Sequence, residues 1–132
     1  MSTNDNYCFA CGKDNPIGLK LEFKMQDGKY TTTKLLSKEY QGYDGIVHGG
    51  ILTTMLDEAM ASYLNKELGQ QAVTARLDVR YRKPAPIGEM LTLTSWEESR
   101  KGSFVSMKAE ISLPDGTIAA EASGKMAVIG PA

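Results

Sequence analysis

The chain has 132 residues, 42% of them hydrophobic, with 23% charged and a net charge of −1 at pH 7. That length suits one domain with a sizeable core, an N-terminal arm over 1–16 and no second unit. The near-neutral charge argues against a general nucleic-acid or membrane-surface binder, no run approaches a transmembrane length, and the polar start Met1-Ser2-Thr3-Asn4-Asp5-Asn6 lacks the apolar segment of a signal peptide, so the expected compartment is cytoplasmic, with no nucleic-acid or membrane partner.

The arm carries Cys8-Phe9-Ala10-Cys11-Gly12. A Cys-x-x-Cys pair can be half of a zinc site or a redox pair. Zinc takes four ligands, and His48 is the other strong candidate in the chain; no βαβ pattern follows to favour redox chemistry. The reading preferred from sequence is a structured arm without chemistry and without metal. Asn15-Pro16-Ile17-Gly18 forms a turn. Leu19, Leu21, Phe23 and Met25 then alternate with Lys20, Glu22, Lys24 and Gln26, which predicts a half-buried strand. Asp27-Gly28 signals a hairpin into a second strand from about Lys29 to Leu36.

A loop, Glu39 to Gly45, leads to His48-Gly49-Gly50 and an apolar helix ending near Leu68-Gly69. Leu52, Met55, Leu56, Ala59, Met60 and Tyr63 follow i, i+3, i+4 spacing. From Gly49 to Leu64 the only charged residues are Asp57 and Glu58, so most sides of this helix are expected to be covered. A carboxylate there is either a structural acid or one tuned by its surroundings for base or nucleophile work. Asp57 points away from the centre of the stripe, among Thr53, Thr54, Ala61 and Leu64. Glu58 lies beside Ile51 and Ser62 and reads as structural. No Ser, Thr, Asp or Asn stands immediately before the helix to cap it. The two glycines instead leave free N–H groups at a positive helix end, suited to an oxyanion, or they simply make a tight turn. At 1.5 Å per residue, Gly49 and Asp57 lie about 12 Å apart along the axis. Both can act on one carbonyl only if they come from different chains, which points to a dimer with shared sites.

Four strands follow. Leu77, Val79 and Tyr81 alternate with Arg76, Asp78, Arg80 and Arg82 until Lys83-Pro84-Ala85-Pro86 breaks the strand. Further strands run from about Glu89 to Glu98, through Val105, Met107, Ala109 and Ile111, and over Thr117–Val128, joined by turns at Arg100-Lys101-Gly102 and Pro114-Asp115-Gly116. The order β-β-α-β-β-β-β with short turns predicts an α+β fold, one long helix wrapped by a curved antiparallel sheet of five to six strands.

Val47-His48-Gly49-Gly50, the Asp57 nine residues after His48, and Tyr81-Arg82-Lys83-Pro84 followed by Gly88-Glu89 resemble the hotdog-fold acyl-CoA thioesterases of the phenylacetate-degradation and 4-hydroxybenzoyl-CoA thioesterase superfamily. The arm, with Asn15-Pro16-Ile17-Gly18-Leu19, resembles the start of a bacterial subgroup. The resemblance implies homodimers whose sheets join edge to edge, often homotetramers, and active sites at the dimer interface. It implies Asp57 as general base or nucleophile, with the Gly49 N–H polarising the thioester carbonyl. His48 and Gly50 flank that donor. Family members often carry Asn or Gln six residues before the histidine; here that position is Gly42, with Gln41 adjacent. Thr74 matches a Ser/Thr that orients water near the acid, and is equally an ordinary β-branched strand residue. The candidate catalytic residues are therefore Asp57, Gly49, His48, Gln41 and Thr74.

Coenzyme A, as part of the substrate, brings phosphates. Arg80, Arg82, Lys83, Arg100 and Lys101 are candidate partners for them, with Gly50 and Glu58 as further substrate-binding positions. Each cation alone also reads as a solvated strand face. A carboxylate mechanism requires no cofactor. A hotdog hydratase or dehydratase and a non-catalytic acyl-CoA binding module are the competing functions.

Overall fold

The computed structural model describes residues 6–131; the polar start of the arm, 1–5, lies outside the described residues. Six strands and one principal helix follow the predicted order: β1 (Lys24–Gln26), β2 (Lys29–Leu35), α1 (Gly49–Ser62), β3 (Gln70–Tyr81), β4 (Met90–Lys101), β5 (Phe104–Ser112) and β6 (Ile118–Pro131). All strand pairs are antiparallel, in the spatial order β1-β2-β4-β5-β6-β3.

The inner side of the sheet and the apolar stripe of α1 make one core. Met55, Leu56, Ala59 and Met60 are fully buried against Leu91, Leu93, Val105, Met107, Ile111 and Met126. Each such large side chain contributes about 1.5–3 kcal/mol on burial. The alternation read from β4 and β5 places these residues inward and Trp96, Lys108 and Glu110 on the other side. Ser95 is the polar exception in β4, and its hydroxyl donates to the Ala59 carbonyl at 2.6 Å. Gly124 of β6 lies where a Cβ would come within 2.9 Å of Met60 Cε, so it is the close contact between sheet and helix.

Three features differ from expectation. The alternation over Leu19–Met25 predicts a strand, yet only Lys24–Gln26 pairs in the sheet. Leu19 and Leu21 are buried as the alternation requires. Their N–H groups instead go to Phe9 and Ala10 carbonyls of the arm at 2.8 and 2.9 Å, and Lys20 takes a positive φ of 54°. The arm thus competes successfully for this backbone. Second, α1 does not run unbroken to Leu68. After Ser62 it widens into a π-type turn over Tyr63–Glu67, closed by Leu68 N–H to the Tyr63 carbonyl at 3.1 Å and stopped at Gly69 (φ 67°). Third, β3 does not pair with β4, its successor in the chain. It pairs with β6 and forms an edge, and the segment 82–89 that leaves it is bridged to the loop before α1 at Ile46 and Pro86. Val47 N–H donates to Ala85 O and Ile87 N–H to Gly45 O, tying those two loops together.

Candidate functional site

The helix lead-in is held from both sides. Gln41 and Val47 form an isolated bridge, and His48 N–H donates to Tyr40 O at 2.9 Å. The Gln41 side-chain oxygen accepts from Gly45 N–H at 3.0 Å, which closes the loop on itself. His48 then does what the sequence withheld from the usual capping residues: its Nδ1 accepts from Gly50 N–H at 2.9 Å, making it the N-cap of α1. Ile51 and Leu52 N–H groups are directed to His48 O. Among the described residues, nothing accepts from the Gly49 N–H. The cap therefore takes up the Gly50 donor and leaves the Gly49 donor at the positive end of the helix, the condition for receiving an oxyanion.

Tyr81 completes this end. Its hydroxyl donates to Gly49 O at 3.0 Å and is in close hydrogen-bond contact with Thr53 Oγ1. Its ring lies 3.5 Å from where a Cβ on Gly49 would sit. Sequence reasoning missed Tyr81 as a site residue. The legible signal is its place at the end of an alternating strand, on the same side as Leu77 and Val79. A cavity of about 360 Å³ opens here, lined by Tyr43, Gly49, Leu52, Tyr81, Arg82 and Lys83 among others.

Two turns along α1, Asp57 Oδ1 accepts from Thr74 Oγ1 of β3 at 2.6 Å. This is a short bond to a charged acceptor, and it leaves the second carboxylate oxygen available. Asp57 is half-buried, and Thr74 lies on the edge of β3 that no other strand covers among the described residues. The helix rise separates Asp57 from Gly49 by about 12 Å.

Glu58 is rotated about 100° from Asp57 on the helix. It joins a different group. The thiols of Cys8 and Cys11 and a Glu58 carboxylate oxygen all lie within 4.8 Å of one another. Burial, then the adjacent Glu58, pushes the Cys11 thiol well above its ordinary range, while a hydrogen bond from Lys66 acts the other way.

The candidate cations scatter. Lys83 and Arg82 line the cavity at Gly49, and Arg82 is also ion-paired with Glu121. Arg80 lies on the outer side of the sheet, with Asp78, Trp96 and Lys108 around a cavity of about 630 Å³. Arg100 holds Glu97 at 2.9 Å and Gln70 at 3.1 Å, at the opposite end of β3 from Tyr81. Lys101 ends β4 beside it. Gly50, His48 and Gln41 share a shallow cavity of about 350 Å³ with Tyr40 and Ile51.

A long helix on a six-stranded antiparallel sheet with this order, bearing a glycine lead-in and a mid-helix acid, defines a hotdog-fold protein. The match of the thioesterase superfamily pattern to residues 44–120 spans the loop, the helix and most of the sheet. The chain belongs to the thioesterase superfamily. It is 27% identical over 93% of its length to acyl-coenzyme A thioesterase THEM4 of Bos taurus, and spans about half (52%) of that protein. A solved thioesterase superfamily protein matches with TM-score 0.84 and 29% identity, over 92% of this chain and 60% of the other. A hypothetical thioesterase of Streptococcus pneumoniae TIGR4, solved with coenzyme A, matches with TM-score 0.77 and 26% identity, over 83% of this chain and 89% of the other.

Proposed function

We propose that this protein hydrolyses the thioester of a small or medium acyl-CoA, at a site completed by two copies of the chain. The observation that carries the reading is the Asp57–Thr74 pair beside an unpaired strand edge, with the uncapped Gly49 N–H too far along the same helix to share its substrate. β3 is 12 residues long, a length of free edge that proteins rarely leave uncovered. Antiparallel pairing of two β3 edges brings Asp57 of one copy toward Gly49 of the other. It also brings the Arg100–Lys101 hairpin of one copy toward Arg82 and Lys83 of its partner. Those four cations, apart in one chain, then rim one site, where the phosphates of coenzyme A need them, while Arg80 stays on the outer side of the sheet.

Asp57 accepts a proton from water, or attacks the carbonyl itself, while Thr74 holds the carboxylate in place. Charge develops on the carbonyl oxygen toward the Gly49 N–H, while His48 Nδ1 and the Tyr81 hydroxyl hold the following Gly49–Gly50 peptide and so fix the backbone beside that donor. The thiolate of coenzyme A leaves and is protonated; where Asp57 attacks directly, water then hydrolyses the Asp57–acyl anhydride, releasing the acid and restoring the carboxylate. Acyl transfer to water is not a redox step, and these groups suffice without a cofactor. Superfamily membership and the relative named for acyl-coenzyme A favour hydrolysis over the hydratase reading and over binding alone.

A panel of acyl-CoAs assayed by thiol release tests the function. Hydrolysis with at least one acyl-CoA is expected, and Asp57→Asn should lose about 100-fold or more. Hydration of an enoyl-CoA without thiol release, or full activity in Asp57→Asn, overturns it. Mixing Asp57→Asn with Gly49→Val chains tests the shared site: activity returns in heterodimers if each pair keeps one intact half from each copy. Single-turnover hydrolysis in labelled water, followed by mass analysis of Asp57, separates nucleophile from base.

A further inference from the structure

The Cys8, Cys11 and Glu58 cluster lies outside the proposed active site and has no part in its chemistry. We propose that it is a zinc site that staples the N-terminal arm to α1. Two thiol sulfurs and one carboxylate oxygen within 4.8 Å of one another need only small side-chain rotations to meet one ion at the Zn–S and Zn–O distances of about 2.3 and 2.0–2.2 Å. The backbone is already shaped for this. Gly12 N–H donates to Cys8 O at 2.8 Å, a turn that sets both cysteines on one side. A Cβ on Gly12 would lie 2.4 Å from Cys8 N and from Asn6 O, so only glycine permits the turn. Asn15 fastens the outside of the same loop, donating to Tyr7 O at 3.1 Å and accepting from Ile17 N–H at 3.0 Å.

The donor set selects the metal. Two thiolates favour a borderline-soft ion such as zinc over magnesium or calcium. Each thiol releases its proton to solvent on binding. Zinc with two thiolates and one carboxylate carries one net negative charge, and the Lys66 ammonium, already in hydrogen-bond contact with Cys11, neutralises it. Three protein ligands leave the fourth position to water. Cys11 is buried and Cys8 half-buried, so the site opens on the Cys8 side. Zinc there ties an arm that holds Leu19 and Leu21 in the core to the helix that carries Asp57.

The test uses the whole chain, reduced and stripped of metal, titrated with Co²⁺ and then Zn²⁺. One Co²⁺ per chain with thiolate-to-cobalt charge-transfer absorption is expected, displaced by one Zn²⁺, with a rise in melting temperature. Cys8→Ser and Cys11→Ser should each weaken zinc by about 100-fold or more, and Glu58→Gln by about tenfold. Circular dichroism identifies any variant that fails to fold, and Cys8→Ser, at the half-buried position, keeps the test open if Cys11→Ser does. Three results overturn the proposal: no charge-transfer band at equimolar cobalt, an affinity unchanged by Glu58→Gln, or a melting temperature indifferent to zinc. Because each readout is metal affinity or stability, an inactive enzyme would leave this result standing, and an active one would not supply it.

Discussion

Replacing Thr74 with Val removes one hydroxyl and almost no volume. Thr74 is exposed in the single chain, so the fold should tolerate the change. What disappears is the 2.6 Å bond to Asp57 Oδ1. A hydrogen bond to a charged group contributes about 1.5–3 kcal/mol. The half-buried site takes the lower end, about 1.5 kcal/mol, which is roughly tenfold in rate if the bond matters equally in the transition state. Thiol release from the best acyl-CoA should show kcat down about tenfold in Thr74→Val with KM little changed, because Thr74 positions the acid and contributes no binding contact in the proposed mechanism. Thr74→Ser should recover most of the rate. In an Asp57→Asn background the Val substitution should cost little more, since both changes remove one coupled unit. Full activity in Thr74→Val, or a full tenfold loss on top of Asp57→Asn, would refute the coupling.

His48→Ala should cost about 1 kcal/mol of stability and lower the melting temperature by about 3–5 °C, while His48→Asn, an alternative cap, should retain most of it; a thermal melt of the three chains decides. Gly124→Val should destabilise by about 1–3 kcal/mol in urea unfolding, because a side chain there drives into Met60. The hydrogen bonds from Arg100 hold the Glu97 carboxyl below its ordinary range. Glu97 thus contributes stability that is present above about pH 4.3 and lost as pH falls through its lower folded value. The stability gap between the native chain and Arg100→Gln should be under about 1 kcal/mol near pH 6 and narrow as acid titration protonates Glu97.

Much of this was legible from residue order. The alternation in β3, β4 and β5 assigns Leu77, Leu93 and Met107 to one side and Arg76, Thr94 and Lys108 to the other, because side-chain direction in a strand has period two. The stripe Leu52–Met60 assigns the buried side of α1 in the same local way. Even the separation of Gly49 from Asp57 follows from helix rise alone. Over Leu19–Met25 the local pattern loses to a competitor outside the segment: alternation cannot tell that Leu19 and Leu21 donate to Phe9 and Ala10 instead of to a strand.

The sequence by itself determined the kind of elements, their order, the inward faces and the two acids worth weighing, since all of these are set by periodicity along one segment. Only the tertiary structure decided which segments meet. It placed β3 at a sheet edge away from its successor β4, brought the Tyr81 hydroxyl to Gly49 and Thr74 to Asp57, and turned Glu58 to the two cysteines. These are contacts between groups up to 50 residues apart, Cys8 and Glu58 being the longest span. Such contacts depend on how helix and sheet pack as bodies, and no local pattern encodes that.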